Sequence, residues 1–437
     1  MLSKETRLMV CSILLPLCIL ALVDVTLAEA VKITFMFRGG ELQAKTVEMW
    51  KAEFEAENPD IIVEWQVAAG DWMTKLPVMV ATGVGPDVFE SWGVNGRNWG
   101  LTGVSLDVAP YVARDFTPED IADFYPPAWR AAEFTSGPGK GVRYGLPSNG
   151  NVFMMYYNKD MLAEAAVPDL PILDRQGDWT WESLILYGKK LTRRDADGRV
   201  IRWMLDSDDL YAPTNRGAGW LFAAGGHYFN PNDPMEFIGN KPAAVTALSF
   251  MQDLIWRHEL MSPLPTRGQA RWNLGNSVIC MWQGSANLGT FEATVNAFEW
   301  DLGPKPMGPE GRGYVISPDM FAINAQSQHK EEAWRFLKYL TSKAGQEVYT
   351  KVMGRSPTRR SAYPLYEALY PNRSTIYTTI GMMEGTPIPE AFMSMEINSL
   401  IVSTIRNEIA TNKKHPQQAM DEIADAIKAM LTESDQL

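Results

Sequence analysis

The side chains best suited to recognise another molecule lie at turns between apolar runs, and they are aromatic, amide and guanidinium groups. Trp92 sits in Ser91-Trp-Gly-Val-Asn-Gly96, directly after the apolar Val88-Phe89. Asn149 and Asn151 lie in the small, polar Ser148-Asn-Gly-Asn151. Trp220 closes Asn215-Arg-Gly-Ala-Gly-Trp220, and Trp282 follows the apolar run that ends at Met281. Arg38 and Arg97 fall at the ends of apolar segments, and Tyr314 follows Gly311-Arg-Gly313. A flat indole offers apolar area to a ring's C–H face. A side-chain amide offers two donors and an acceptor, which suits a pair of hydroxyls. Arginines at the same edges, with Arg216 and Arg312 among them, would suit an anion.

Covalent and metal chemistry find less footing. His227, His258, His329 and His415 form no H-E-x-x-H or comparable metal spacing. No G-x-S-x-G elbow occurs, and Gly137-Pro-Gly139-Lys140 lacks the phosphate-loop pattern and reads as a turn. Asp208-Asp209 are adjacent, so their side chains point to different faces, and the pair reads as solvated loop. Neither a cofactor nor a metal is implied.

The elements that must position these groups read as α/β. Val31–Phe37 alternates and is rich in β-branched and aromatic residues, as a strand does. Residues 41–57 place Val47, Trp50 and Phe54 on one helical face and stop at Asn58-Pro59. Residues 61–67 form a second strand, and 72–81 a short helix weakened by Pro77. Asp71 caps that helix and Trp72 packs it. Pro86-Asp-Val-Phe89 enters a third strand. The β-α-β-α-β order predicts a parallel sheet. Val142–Tyr144 reads as a strand, Pro147 imposes an extended crossing, and Val152–Tyr157 reads as the next strand. Thr180 is an N-cap, and the final helix presents Ala419, Met420, Ile423, Ile427, Met430 and Leu431 on one face.

Size and charge bound the rest. A chain of 437 residues exceeds one core and implies at least two domains. A net charge of −12 argues against nucleic acid, which needs a basic face. Fifteen tryptophans are many for this length, and a saccharide ligand would use them. Residues 1–30 read as a secretory signal: Lys4 and Arg7, then apolar Leu8–Val23, then Ala28-Glu-Ala30 as cleavage site. Leu17 before Cys18 and Val10 before Cys11 speak against a lipid anchor. Cleavage leaves Cys280 alone, without a disulfide partner. The mature chain is expected to be exported, soluble and periplasmic.

The ordered motifs Asn58-Pro59, Pro86-Asp-Val-Phe89, Tyr144-Gly145 with Pro147, Tyr157-Asn-Lys-Asp160, Trp179-Thr-Trp-Glu-Ser183 and Ala333–Leu340 with Ser356-Pro-Thr358 resemble the extracellular solute-binding proteins of family 1, which serve ABC sugar importers. The resemblance covers the mature chain. It implies two α/β lobes joined by hinge segments. The first is residues 31–147 plus 300–350; the second is 148–299 plus 351–437, with Trp300–Pro306 returning to the first lobe. It implies no enzyme activity, a monomer, a sugar in the inter-lobe cleft, and delivery to ABC permease subunits. It assigns cleft positions to Trp92, Trp220 and the Gly311–Tyr314 segment; Asn149, Asn151, Arg38 and Arg97 join them as ligand candidates from residue type and position, and Trp282 as a substitute for the family's missing Trp. The chain departs from the family where Ala286-Asn287 replaces the usual Trp and where Met395 replaces another. An acidic sugar, a polyamine or a phosphodiester stays open as ligand. A glycan-degrading enzyme would need two carboxylates about 5–10 Å apart, and no such pair is nominated.

Overall fold

The computed structural model describes residues 29–437 except 136, 138, 264–270, 282, 283, 389–393 and 435–437. Two five-stranded sheets organise the described residues. Their strands are β1 (Val31–Arg38), β2 (Ile61–Ala68), β3 (Val88–Trp92), β4 (Leu146–Asn149), β5 (Met155–Asn158), β6 (Arg193–Arg194), β7 (Val200–Asp206), β8 (Ser277–Cys280), β9 (Trp300–Gly303) and β10 (Asp319–Ile323).

The first sheet has the order β2-β1-β3-β10-β4. β1 runs parallel to β2 and β3, as the β-α-β-α-β order predicts, and β10 runs antiparallel to β3 and β4. The helix Glu41–Glu57 buries Val47, Trp50 and Phe54 on the sheet. Trp50 meets Phe37 edge-on at 5.6 Å and donates its indole N–H to the Gly345 carbonyl at 2.8 Å, tying in the helix Lys343–Met353. Pro147 is tolerated because β4 lies at the sheet edge, where a missing donor breaks no ladder. The expected strand at Val142–Tyr144 is only an isolated bridge between Arg143 and Glu133.

The second sheet has the order β9-β5-β8-β7-β6. Its core includes Tyr157, Leu205 and Ile279, with Trp181, Trp220 and the helix Pro416–Ser434. Ala419, Met420, Ile423, Ile427 and Leu431 of that helix are buried as the periodicity predicts. Thr180 and Ser183 form a reciprocal cap at the helix Trp181–Leu191: the Ser183 N–H donates to Thr180 Oγ1 at 3.2 Å and the Thr180 N–H to Ser183 Oγ at 2.7 Å.

One boundary differs from expectation. Trp300–Gly303 does not return to the first lobe; it pairs antiparallel with Met155–Asn158 as the edge of the second sheet. The chain returns later, between Ile316 and Asp319, where β10 begins. Three stretches therefore pass side by side between the lobes. The Gly150 N–H donates to the Ser356 carbonyl at 2.7 Å, and the Ser317 N–H to the Asn151 carbonyl at 2.8 Å. The Ser285 hydroxyl donates to the Gly150 carbonyl at 2.9 Å, and the Ser356 hydroxyl donates to the same oxygen.

Candidate functional site

Four strand termini of the first sheet meet at one edge. Arg38 ends β1, Trp92 ends β3, Asn149 ends β4, and Asp319 begins the antiparallel β10, paired with both Trp92 and Asn149. Glu90 lies two residues before Trp92 and so faces the same side. Arg38 Nε donates to Glu90 at 2.8 Å and Nη2 to Asp319 at 2.8 Å; the Asn149 amide donates to the same Asp319 oxygen at 2.9 Å. Burial pushes the Glu90 carboxyl up to about 7, against the pull of Arg38. Burial also works against the Arg38 cation, but Asp319 and Glu90 outweigh it and hold that pKa above the ordinary value. The Arg38 guanidinium lies 5.0 Å from the Trp92 ring centroid, and Trp72 meets Trp92 edge-on at 5.6 Å. Trp92 is thus braced on two sides, while its remaining surface borders open space.

That space is a cavity of about 470 Å³ between the lobes, within the usual range of small-molecule sites, about 300–1,000 Å³. Arg38, Trp92 and Asp319 form its first-lobe wall. Asp208, Asn215, Arg216 and Arg271 form the wall of the second lobe. Asp208 holds Arg216 in a two-bonded ion pair. The crossing stretches supply the floor: Asn151, Phe153, Ser317 and Arg355, with Gly284, Ala286 and Asn287. The Ala286 N–H donates to Asn151 Oδ1 at 3.4 Å. A Cβ on Gly284 would lie 2.0 Å from that amide oxygen, so a larger residue here would displace the Asn151 side chain.

The structure brings Arg38, Trp92 and Asn151 together and disperses the other candidates. Asn149 is 1% exposed and sits behind Asp319, so it orients the carboxylate and does not line the cavity. Trp220 is 3% exposed. Its ring packs against Trp181 and Phe250, and its N–H donates to Asp209 at 2.5 Å, which places it in the second-lobe core. Tyr314 is also 3% exposed, packed in the apolar cluster beneath the crossings. Arg97 stacks over Phe134 at 4.5 Å and opens on a separate cavity with Arg130, Glu133 and His227. Arg312 pairs with Asp174. Trp282 lies outside the described residues. Trp72 packs as expected, but the Asp71 side chain makes no cap bond and accepts instead from the Thr74 hydroxyl at 3.0 Å.

Asp208 and Asp209, expected to be solvated, are both buried. Asp208 is held by Arg216. Burial pushes the Asp209 carboxyl up, opposed by the nearby Lys305, while burial lowers the Lys305 ammonium to about 8. Sequence reasoning also passed over Asp319, Glu90, Asn215, Arg271 and Arg355. The local signals were faint: Asp319 opens an ordinary apolar strand, and Arg355 follows a helix-ending glycine in Gly354-Arg355-Ser356.

Comparison with known proteins places this architecture. Residues 39–347 match the model of the bacterial extracellular solute-binding proteins. The chain belongs to that family. An arabinooligosaccharide-binding protein of Halalkalibacterium halodurans is 24% identical over 329 residues, covering 68% of each chain. The sugar-binding protein MalE of Xanthomonas citri superposes with a TM-score of 0.75 at 20% identity, over 92% of this chain and 98% of that one. UgpB of Mycobacterium tuberculosis, solved with glycerophosphocholine, superposes with a TM-score of 0.74 at 18% identity, over 93% of this chain and 99% of that one. At these identities the two solved structures establish the shared fold. Arg38 and Trp92 stand at carboxyl ends of strands of an open α/β sheet, the edge where such sheets form their ligand crevices.

Proposed function

We propose that this solute-binding protein captures a sugar or oligosaccharide between its lobes and delivers it to the permease of an ABC importer. The observation that carries the reading is the cavity itself: one half-buried indole, Trp92, is surrounded by groups that bond hydroxyls and is faced from both lobes. The indole supplies apolar contact, while Asn151, Asn215 and Asn287 supply donors and acceptors that orient a ring. The arabinooligosaccharide-binding relative supports a saccharide. Four arginines against two aspartates on the cavity wall speak against a polyamine.

Binding would draw the lobes together, because only the closed form contacts the ligand from both walls. The three adjacent crossings, near Gly150, Ser317 and Ser356, would carry the hinge. The closed form would then dock on the permease as a monomer. The role is binding, not catalysis. No helix among the described residues is long and apolar enough to cross a membrane. β1 begins at Val31, directly after the proposed cleavage site at Ala30, so cleavage there would leave the first sheet whole.

A thermal-shift screen of the purified mature chain over mono- and oligosaccharides tests the reading. A true ligand at a hundred times its dissociation constant adds about 2.7 kcal/mol of stability. If no saccharide raises the melting temperature and another solute class does, the sugar reading falls.

A further inference from the structure

Arg355 is out of balance with its surroundings. It lies on the third crossing, between Gly354, a left-handed helix terminus at φ 66°, and Ser356, whose carbonyl accepts from the Gly150 N–H. Its backbone is thereby held at the floor of the central cavity, which its side chain lines. The other cavity arginines named in ion pairs are matched within the protein: Arg38 by Glu90 and Asp319, Arg216 by Asp208. Arg355 has no ion pair or hydrogen bond among the described residues, and its Nε is buried without an acceptor. The Arg355 charge also acts on Glu90, but Arg38 already holds that carboxylate. A half-buried guanidinium with no acceptor among the described residues costs free energy until one arrives at its accessible Nη groups. Maintaining a surplus cation here is the more telling because the whole chain carries a net charge of −12.

We infer that the ligand is an acidic saccharide and that its carboxylate pairs with Arg355. This rests on the sugar reading above and narrows it. Nη1 and Nη2, which unlike Nε are not buried, present two parallel N–H groups that match the two oxygens of one carboxylate. Asp208 and Asp319 share the cavity. Their carboxylates accept from the hydroxyls of a sugar ring and oppose a doubly charged phosphate. A uronic acid residue therefore satisfies both halves of the wall, with its carboxylate on Arg355 and its hydroxyls on the aspartates and asparagines. Because Arg355 belongs to a crossing segment, the pair forms where the lobes pivot.

The test uses pairs of ligands that differ only in charge. Uronate disaccharides derived from pectin, alginate and hemicellulose, each beside its methyl ester, are titrated calorimetrically into the mature chain. Glycerophosphocholine and neutral oligosaccharides run alongside. We expect at least one acid to bind tenfold or more tightly than its ester. Arg355→Gln should reduce that ratio to near one by weakening the acid far more than the ester, and an unchanged circular dichroism spectrum and denaturation midpoint show that the variant is folded. Arg355→Lys keeps the charge but loses the fork and should fall between. An acid and ester that bind equally, a preference that survives Arg355→Gln, or binding confined to neutral oligosaccharides would overturn the inference and leave the sugar reading intact. Binding of glycerophosphocholine with no saccharide, acidic or neutral, would overturn both.

Discussion

Trp92 and Trp220 both lie beside turn-rich stretches in the sequence, yet the first-lobe wall exposes one and the second lobe swallows the other. Trp92 is the last residue of a short strand, so the chain carries it to the sheet edge, where Trp72 and Arg38 brace it without covering it. Trp220 sits inside the short helix Ala218–Ala223, and its ring turns inward onto Trp181 and Phe250. Asp209 then takes its N–H. The wall this leaves to the second lobe is ionic and amide in character, from Asp208, Asn215, Arg216 and Arg271. One wall thus supplies the aromatic platform and the other supplies polar contacts. An aromatic residue near a turn becomes a binding surface when a strand end presents it, and core when a helix rotates it inward.

The sharpest way to break this contrast is to truncate each indole. Trp220→Ala should cost about 3–5 kcal/mol of stability, the usual loss for a large buried ring, read by urea denaturation. The folded variant should retain its ligand affinity. A normal denaturation midpoint with lost binding would move Trp220 to the cleft. Trp92→Ala should do the reverse. It should weaken ligand binding by about 2 kcal/mol, roughly thirtyfold, with a smaller change in the denaturation midpoint. Calorimetry with the ligand found by the thermal screen decides, and unchanged affinity would remove Trp92 from the site.

The same contrast shows what the sequence makes legible. The helix Glu41–Glu57, the parallel pairing of β1 with β2 and β3, the cap at Thr180 and the buried face of the last helix were all readable. Each is specified by spacing within a few turns or strands. The position of the return crossing was not readable. Trp300–Gly303 has the pattern of a buried strand, and such a pattern is equally at home on either sheet; its pairing with Met155–Asn158 is a tertiary fact. Asp208-Asp209 misled for a related reason. Adjacent carboxylates suggest solvent until Arg216 folds onto one and Trp220 and Lys305 approach the other. Arg355 stood in plain sight, but its lack of a partner among the described residues is visible only once the cavity around it is assembled.

The subtlest difference between the walls lies in how their carboxylates are held, and Asn149 tests it. Asp208 is gripped by a guanidinium through two bonds, whereas Asp319 is positioned by Arg38 and by the buried Asn149 amide. Asn149→Ala removes one charge-assisted bond, which by itself costs about 1.5–3 kcal/mol. It also removes Asn149 Oδ1, a buried acceptor with no partner, whose burial is itself unfavourable by about 1–3 kcal/mol. The two terms oppose each other, so the denaturation midpoint should hardly move. Asp319 would lose one of the two groups that aim it. Ligand affinity should then fall by about 1 kcal/mol, around fivefold, by calorimetry. A loss as large as that of Trp92→Ala would mean that Asn149 itself reaches the ligand, in a closed form tighter than this one. Unchanged affinity with reduced stability would make the amide a structural tie of the sheet edge, and Arg38 alone would then set the position of Asp319.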